Sequence, residues 1–170
     1  MTDNMLFVFS GLPGVGKSTL AKRFVKDISA TYLRIDTIEQ AIRDICKIDV
    51  QGEGYRISYR IAEDNLKNGN NVVVDCVNPW KLTRSEWNLV ALNSKKKIVN
   101  IEIVCSNMED HKERVEKRKN EILGLKLPNW FEVINRKYEE WEDDRIVIET
   151  SKSSIEDCYS MLLEKVKENA

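Results

Sequence analysis

Apolar residues fall along this chain in two alternating rhythms. Short continuous runs at Met5 to Phe9, Tyr32 to Ile35, Val72 to Asp75, Ile98 to Val104 and Ile146 to Ile148 read as buried strands. Between them, apolar positions recur at helical spacing: Leu20, Phe24, Val25 and Ile28; Ile38, Ala41, Ile42 and Ile45; Tyr55, Tyr59, Ala62 and Leu66; Trp87, Val90 and Ala91. The helices implied run from Thr19 to Ile28, from Asp36 to Cys46, from about Gly54 to Lys67 and from Arg84 to Leu92. Thr83 with Glu86, and Ser153 with Glu156, have the spacing of capping boxes, and Gly69-Asn70-Asn71 supplies a turn. Strands alternating with helices predict an α/β protein, a parallel sheet covered on both faces. No Pro- or Ser-rich linker, repeat or low-complexity tract divides it, so one domain is expected over residues 1–170.

One segment breaks the rhythm. Glu109 to Asn120 is so charged that only Val115 offers an apolar contact, and such a helix is not deeply buried. It leads into the irregular stretch Gly124 to Trp130. The segment from about 109 to 135 reads either as a lid over a ligand or as an ordinary solvated helix and loop, and both readings stay open.

Charge removes several classes of function. With 27 Lys and Arg against 28 Asp and Glu the net charge is -1, so nothing favours binding along a nucleic-acid backbone. The N-terminus, Met1 to Asn4, has no basic leader and no apolar run is long enough to cross a bilayer; a cytoplasmic, non-membrane protein is expected. Cys46, Cys76, Cys105 and Cys158 are dispersed, and His111 is the only histidine, which disfavours a zinc site or a Cys–His nucleophile. Cys76 and Cys105 end apolar runs and are expected to pack as small hydrophobes in a reducing compartment.

The chemistry concentrates in Gly11-Leu12-Pro13-Gly14-Val15-Gly16-Lys17-Ser18, a complete G-x-x-x-x-G-K-S loop between a strand and the helix that starts near Lys17 and Thr19. Its glycines allow consecutive N–H groups to surround a phosphate, and the helix adds the positive end of its dipole. Lys17 reaches the β- and γ-phosphates, and Ser18 is placed to ligate Mg²⁺. ATP with Mg²⁺ is therefore the expected ligand pair, and the absence of an N-K-x-D motif leans away from guanine.

Two acids end strands on the side where parallel sheets bind ligands. Asp75 is positioned to hold Mg²⁺ beside Ser18. Asp36 is either the base toward an acceptor hydroxyl or simply a helix N-cap. Arg114 and Arg118, four residues apart, share a helical face and either neutralise a transferred phosphoryl group or pair with Glu113, Glu116 or Glu121.

Across nearly its whole length the chain resembles the small P-loop kinases of the adenylate-kinase-like group, and within it the bacterial ATP-dependent kinases of the AAA_33 type. The resemblance rests on Ser10 to Thr19, Leu33 to Arg43, Val74-Asp75-Cys76-Val77-Asn78-Pro79, Leu82-Thr83-Arg84, Trp87 and Pro128-Asn129-Trp130. It implies a three-layer fold with sheet order 2-3-1-4-5 and a small helical lid. It further implies Asp36 as base, Arg114 and Arg118 as lid arginines touching the triphosphate, and adenine near Thr150 to Ser153. Similar kinases include the polynucleotide kinase domain, chloramphenicol phosphotransferase and zeta toxins.

The chain departs from polynucleotide kinase three residues after the acid, where Glu39 replaces a phosphate-gripping arginine. Glu39 either pairs with Arg43 or faces the pocket, and in the second case it favours a neutral or cationic acceptor over a phosphorylated one. Tyr55, Tyr59, Asn78, Trp80 and Arg84 are candidate substrate-wall residues, with core packing as the alternative for the aromatics. The expected activity is ATP-dependent phosphorylation of a hydroxyl on a small molecule. A nucleotide or polynucleotide 5′-hydroxyl kinase and an ATP-dependent regulatory switch are the alternatives.

Overall fold

The computed structural model describes residues 4–169; the expectation about a leader rests partly on Met1 to Asp3, which lie outside them. Five strands, β1 (Leu6–Ser10), β2 (Thr31–Arg34), β3 (Val72–Asp75), β4 (Ile98–Val104) and β5 (Ile146–Glu149), form one all-parallel sheet in the order β2-β3-β1-β4-β5. This is the order that the resemblance implies. Helices α1 (Lys17–Ile28), α2 (Ile35–Cys46), α3 (Glu53–Lys67), α4 (Lys81–Ser94), α5 (Met108–Lys117), α6 (Trp130–Ile134) and α7 (Ile155–Asn169) complete it.

Side-chain alternation along β1 explains the three layers. Phe7 and Phe9 point to the layer holding Leu20 and Phe24 of α1 and Leu162 of α7, and Leu6 and Val8 to the layer holding Ala62, Leu66 and Trp87 of α3 and α4. Phe24 meets Phe7 edge-on at 4.9 Å, and Tyr59 meets Trp87 edge-on at 4.4 Å. With both faces covered, continuous runs such as Val72-Val73-Val74 are wholly buried, which is why they carry no polar alternation.

Several helix details differ from the sequence reading. In α2 the buried residues are Ile35 and Gln40, and Ile45 is 80 % exposed, because this helix packs against α3 without lying deep on the sheet. Helix α4 begins at Lys81, so Thr83 lies inside it and its hydroxyl donates to Trp80 O at 2.9 Å instead of capping. Helix α7 begins at Ile155 and Ser154, not Ser153, accepts the Asp157 N–H at 3.1 Å. Helix α5 ends at Lys117, leaving Arg118 extended beyond it. Among the described residues no helix is long and apolar enough to cross a membrane.

Trp87 is fully buried at the centre of the α3–α4 layer. Trp87→Ala is expected to cost about 3–5 kcal/mol through lost transfer energy and an unfilled cavity, measured by urea unfolding; a cost below about 1 kcal/mol would mean that this layer is not the core.

Candidate functional site

All five strands run the same way, so Ser10, Arg34, Asp75, Val104 and Glu149 end on one edge of the sheet. Over this edge lies a cavity of about 770 Å³ lined by the glycine loop, by Asp36, Glu39, Asp75, Arg114 and Arg118, and by the loop after β5. The glycine loop leads directly into α1. Gly16 occupies the helix N-cap with φ 100°, no side chain caps the helix, and its first turn holds no acid, so the leading N–H groups are left to a ligand.

Lys17 is buried and donates to Leu12 O at 3.1 Å. Burial lowers its pKa, an effect opposed by Asp75 and then Asp36. Asp75 is 4 % exposed and accepts the Tyr32 hydroxyl at 2.7 Å; Arg34 Nε lies 3.8 Å from the same oxygen. The register pairs Arg34 with Asp75 across β2 and β3. Ser18 and Thr19 both line the cavity, and Ser18 Oγ has no protein partner among the described residues.

Asp36 is exposed and lies in the first turn of α2, whose N-cap is Arg34. Its carboxylate does not cap the helix, and it lines the cavity without a hydrogen-bond partner among the described residues. Glu39 does both of the things left open for it. It lines the cavity and also pairs with Arg43 at 3.3 Å, and burial raises its pKa against the pull of Arg43. A methyl group at Gly54 of α3 would run into the Glu39 side chain, so a glycine there permits the close approach.

Arg114 and Arg118 diverge because α5 ends between them. Arg114 donates to Thr150 Oγ1 at 2.8 Å and Thr150 O at 2.7 Å, and Thr150 in turn donates to Val15 O at 2.9 Å. Arg118 turns toward α2: its pKa falls through burial, with Asp36 opposing and Arg136 and Arg34 reinforcing the fall. Val115 and His111, the buried face of α5, rest on the glycine loop. His111 Nε2 is 2.8 Å from Pro13 O, and a methyl at Gly14, where φ is +88°, would come within 2.5 Å of Val115.

Three expected substrate residues lie elsewhere. Arg84 is 2 % exposed and spends its guanidinium on the carbonyls of Asn78, Pro79, Glu139 and Glu140, with Trp141 stacked at 4.1 Å. The earlier start of α4 puts it on that helix's buried face with Trp87. Asn78 is fully buried, donates its N–H to Tyr55 Oη at 2.9 Å and its amide to Ser10 Oγ at 3.0 Å, and so braces the β3–α4 connection. Tyr55 and Asn78 are thus behind the cavity wall, as Tyr59 is beneath Thr83 and Trp87. Cys76 lines the cavity, but burial pushes its thiol pKa up, which makes it a poor nucleophile.

Sequence reasoning missed Arg34, Glu121, Arg136 and the contact of His111. A lone arginine inside the apolar run Tyr32 to Ile35 was a visible signal for the first, and the spacing of His111 and Val115 for the last. Arg136 follows a helix of five residues and carried no signal.

Residues 6–124, more than two thirds of the chain, match the AAA_33 family of AAA domains. The adenylyl-sulfate kinase of Synechococcus sp. (strain JA-2-3B'a(2-13)) is 23 % identical over 167 residues, covering 94 % of this chain and 92 % of that protein. The Mycobacterium tuberculosis APS kinase CysC, solved with AMPPNP and APS, superposes with TM-score 0.68 at 18 % identity over 97 % of this chain and 98 % of that one. A gluconokinase from Sinorhizobium meliloti 1021 gives 0.68 at 14 % identity over 100 % and 95 %. The fold is shared with these P-loop kinases.

Two outcomes are expected. Arg84→Ala lowers stability by about 2–4 kcal/mol, leaving buried carbonyls unpaired, and changes AMPPNP affinity by less than about threefold; a selective loss of affinity would return Arg84 to the site. Glu149 has a pKa of about 2: burial acts to raise it, but hydrogen bonds from Ser151 and Ser106 prevail. Its stabilisation is present above the unfolded glutamate value and is lost as pH falls from 4.5 toward 2. Glu149→Gln should flatten the pH dependence of urea-unfolding stability across that window; an unchanged slope would contradict the depressed pKa.

Proposed function

We propose, from the premise that the chain belongs to the AAA_33 family of AAA domains, that it is an ATP-dependent phosphotransferase that moves the γ-phosphate to a hydroxyl of a small-molecule acceptor. One observation carries the reading: an unpartnered carboxylate, Asp36, shares a cavity with Lys17 and Ser18 and is near enough to act electrostatically on both Lys17 and Arg118. A motor or switch needs the glycine loop but not a free carboxylate across from it. The relatives support a kinase: two act on adenylyl sulfate by name, one of them solved with AMPPNP, and the third is a gluconokinase.

In this reading Asp36 takes the proton of the acceptor hydroxyl as its oxygen bonds to the γ-phosphorus. The bond from that phosphorus to the β-phosphate oxygen breaks, and ADP leaves with the electron pair. Lys17, Arg114 and Arg118 neutralise charge on the transferred oxygens. The loop Gly11, Pro13, Gly14, Val15, Gly16 and Thr19 cradles the triphosphate, and Thr150 to Ser153 lies beside the adenine. Ser18 and Asp75 fit Mg²⁺, since one is a free hydroxyl and the other a buried carboxylate with one oxygen held by Tyr32. Among the described residues no cluster of three or more His, Cys, Asp or Glu could hold a metal by itself, so phosphate oxygens and water would complete the shell. Mg²⁺ would supply neutralisation of the negative charge on the phosphates. The segment 109–135 serves as the lid of a single domain in this scheme.

The test is acceptor-stimulated ADP release across a panel of metabolites, antibiotics and an oligonucleotide with a free 5′ hydroxyl. A small-molecule hit is expected, and Asp36→Asn should lower its turnover about 10²–10⁴-fold with AMPPNP affinity within about threefold. Stimulation by the oligonucleotide alone, or full activity in the Asn variant, would overturn the acceptor class or the base respectively.

A further inference from the structure

The cavity carries more positive charge than a nucleotide needs. Eight Lys and Arg side chains line it against four Asp and Glu, in a chain whose net charge is -1. A triphosphate with its divalent cation offsets only part of that surplus. Lys17 and Arg114 face the donor end, beside the glycine loop and Thr150. The remaining guanidinium groups converge on the other end, beside Asp36.

Three of them keep donors to spare. Arg34 lies between two carboxylates, its Nε 3.8 Å from Asp75 Oδ2 and its Nη1 holding Glu121 Oε2 at 2.9 Å, yet that buried Nε makes no hydrogen bond. Arg118 also has a buried Nε without a partner, and its one hydrogen bond is a long 3.4 Å approach to Pro128 O. Arg136 lines the same end from an exposed position and has no side-chain partner among the described residues. The three are close enough that Arg136 and Arg34 both depress the pKa of Arg118. Like charges gathered on one cavity wall repel, and an anion that bridges them relieves the repulsion.

Glu121 already behaves as such an anion. It lies on an irregular stretch after α5, and its half-exposed carboxylate is held by Arg34 and, at 2.5 Å, by Lys22 of α1. Glu39 does not cancel the wall, since Arg43 pairs with it and burial raises its pKa.

Resting on the kinase reading above, we propose that the acceptor carries an oxyanion as well as its hydroxyl, a phosphate, sulfate or carboxylate bound by Arg34 and Arg136, with Arg118 between it and the transferred phosphoryl group, and that Glu121 competes with it for Arg34. This departs from the neutral or cationic acceptor that Glu39 suggested. Planar guanidinium forks suit such oxyanions, giving charge-assisted and often bidentate bonds. The oxyanion orients the acceptor so that its hydroxyl meets Asp36.

The experiment uses the full chain saturated with Mg²⁺ and AMPPNP, which fills the glycine loop. Sulfate, inorganic phosphate and acetate are then titrated at ionic strength held constant with chloride, and binding is read from thermal unfolding. At least one oxyanion should stabilise the protein beyond chloride, with sulfate and phosphate against acetate separating tetrahedral groups from carboxylates. Arg136→Ala and Arg34→Gln should each weaken that binding about tenfold. Glu121→Gln should strengthen it about threefold, a gain that a merely structural role would not give. Absence of an oxyanion effect with AMPPNP bound, or an effect indifferent to all three substitutions, overturns the inference alone. Failure of AMPPNP itself to bind overturns the kinase reading, and this inference with it.

Discussion

The constraint on which the rest of the site depends is the burial of the Lys17 ammonium. A cation taken out of water needs compensation close at hand, and here it comes from one carbonyl, Leu12 O, and from the fields of Asp75 and Asp36. Those acids sit on two different elements, the end of β3 and the start of α2. In this sheet β3 lies between β1 and β2, and that order brings both beside the loop that follows β1. Strand order is therefore also charge placement.

Much of this is legible in the sequence alone. The five apolar runs became the five strands because a sheet covered on both faces imposes an unmistakable signature, and the glycine loop became the turn between β1 and α1. Helix faces were less legible. Ile45 fits the helical period of α2 and is nevertheless solvated, while Gln40 is buried. Periodicity reports which residues share a face but not how much cover that face receives. Caps slipped by a residue or more at Thr83 and Ser153 because Ser and Thr make competing local bonds, such as Thr83 to Trp80 O.

Site residues divided along the same line. Lys17, Ser18, Asp36 and Asp75 are fixed by strand ends, and strand ends are readable. Arg84, Tyr55 and Asn78 depended on how α3, α4 and residues 138–141 pack, a tertiary question that local pattern does not answer. The structure gives these three a shared task of another kind: Arg84 and Asn78 hold the β3–α4 connection, and Tyr55 accepts from Asn78 behind it. Arg136 stood beyond reach because a five-residue helix and the loops around it leave its direction to long-range contacts.

The most charged stretch of the chain proves to be anchored by its one buried face. Helix α5 touches the glycine loop through Val115 against Gly14 and His111 against Pro13 O, and His111 also meets Trp130 of α6 edge-on at 5.2 Å. One small apolar contact thus locates two arginines with different orientations, Arg114 toward Thr150 and Arg118 toward Asp36. Arginine side chains are long and mobile on their own; here their base is set by backbone contact with the loop itself. The two ends of the cavity, at Arg114 and at Arg118, are consequently registered against one another through Gly14, which has to be a glycine both for its positive φ and for the space Val115 occupies.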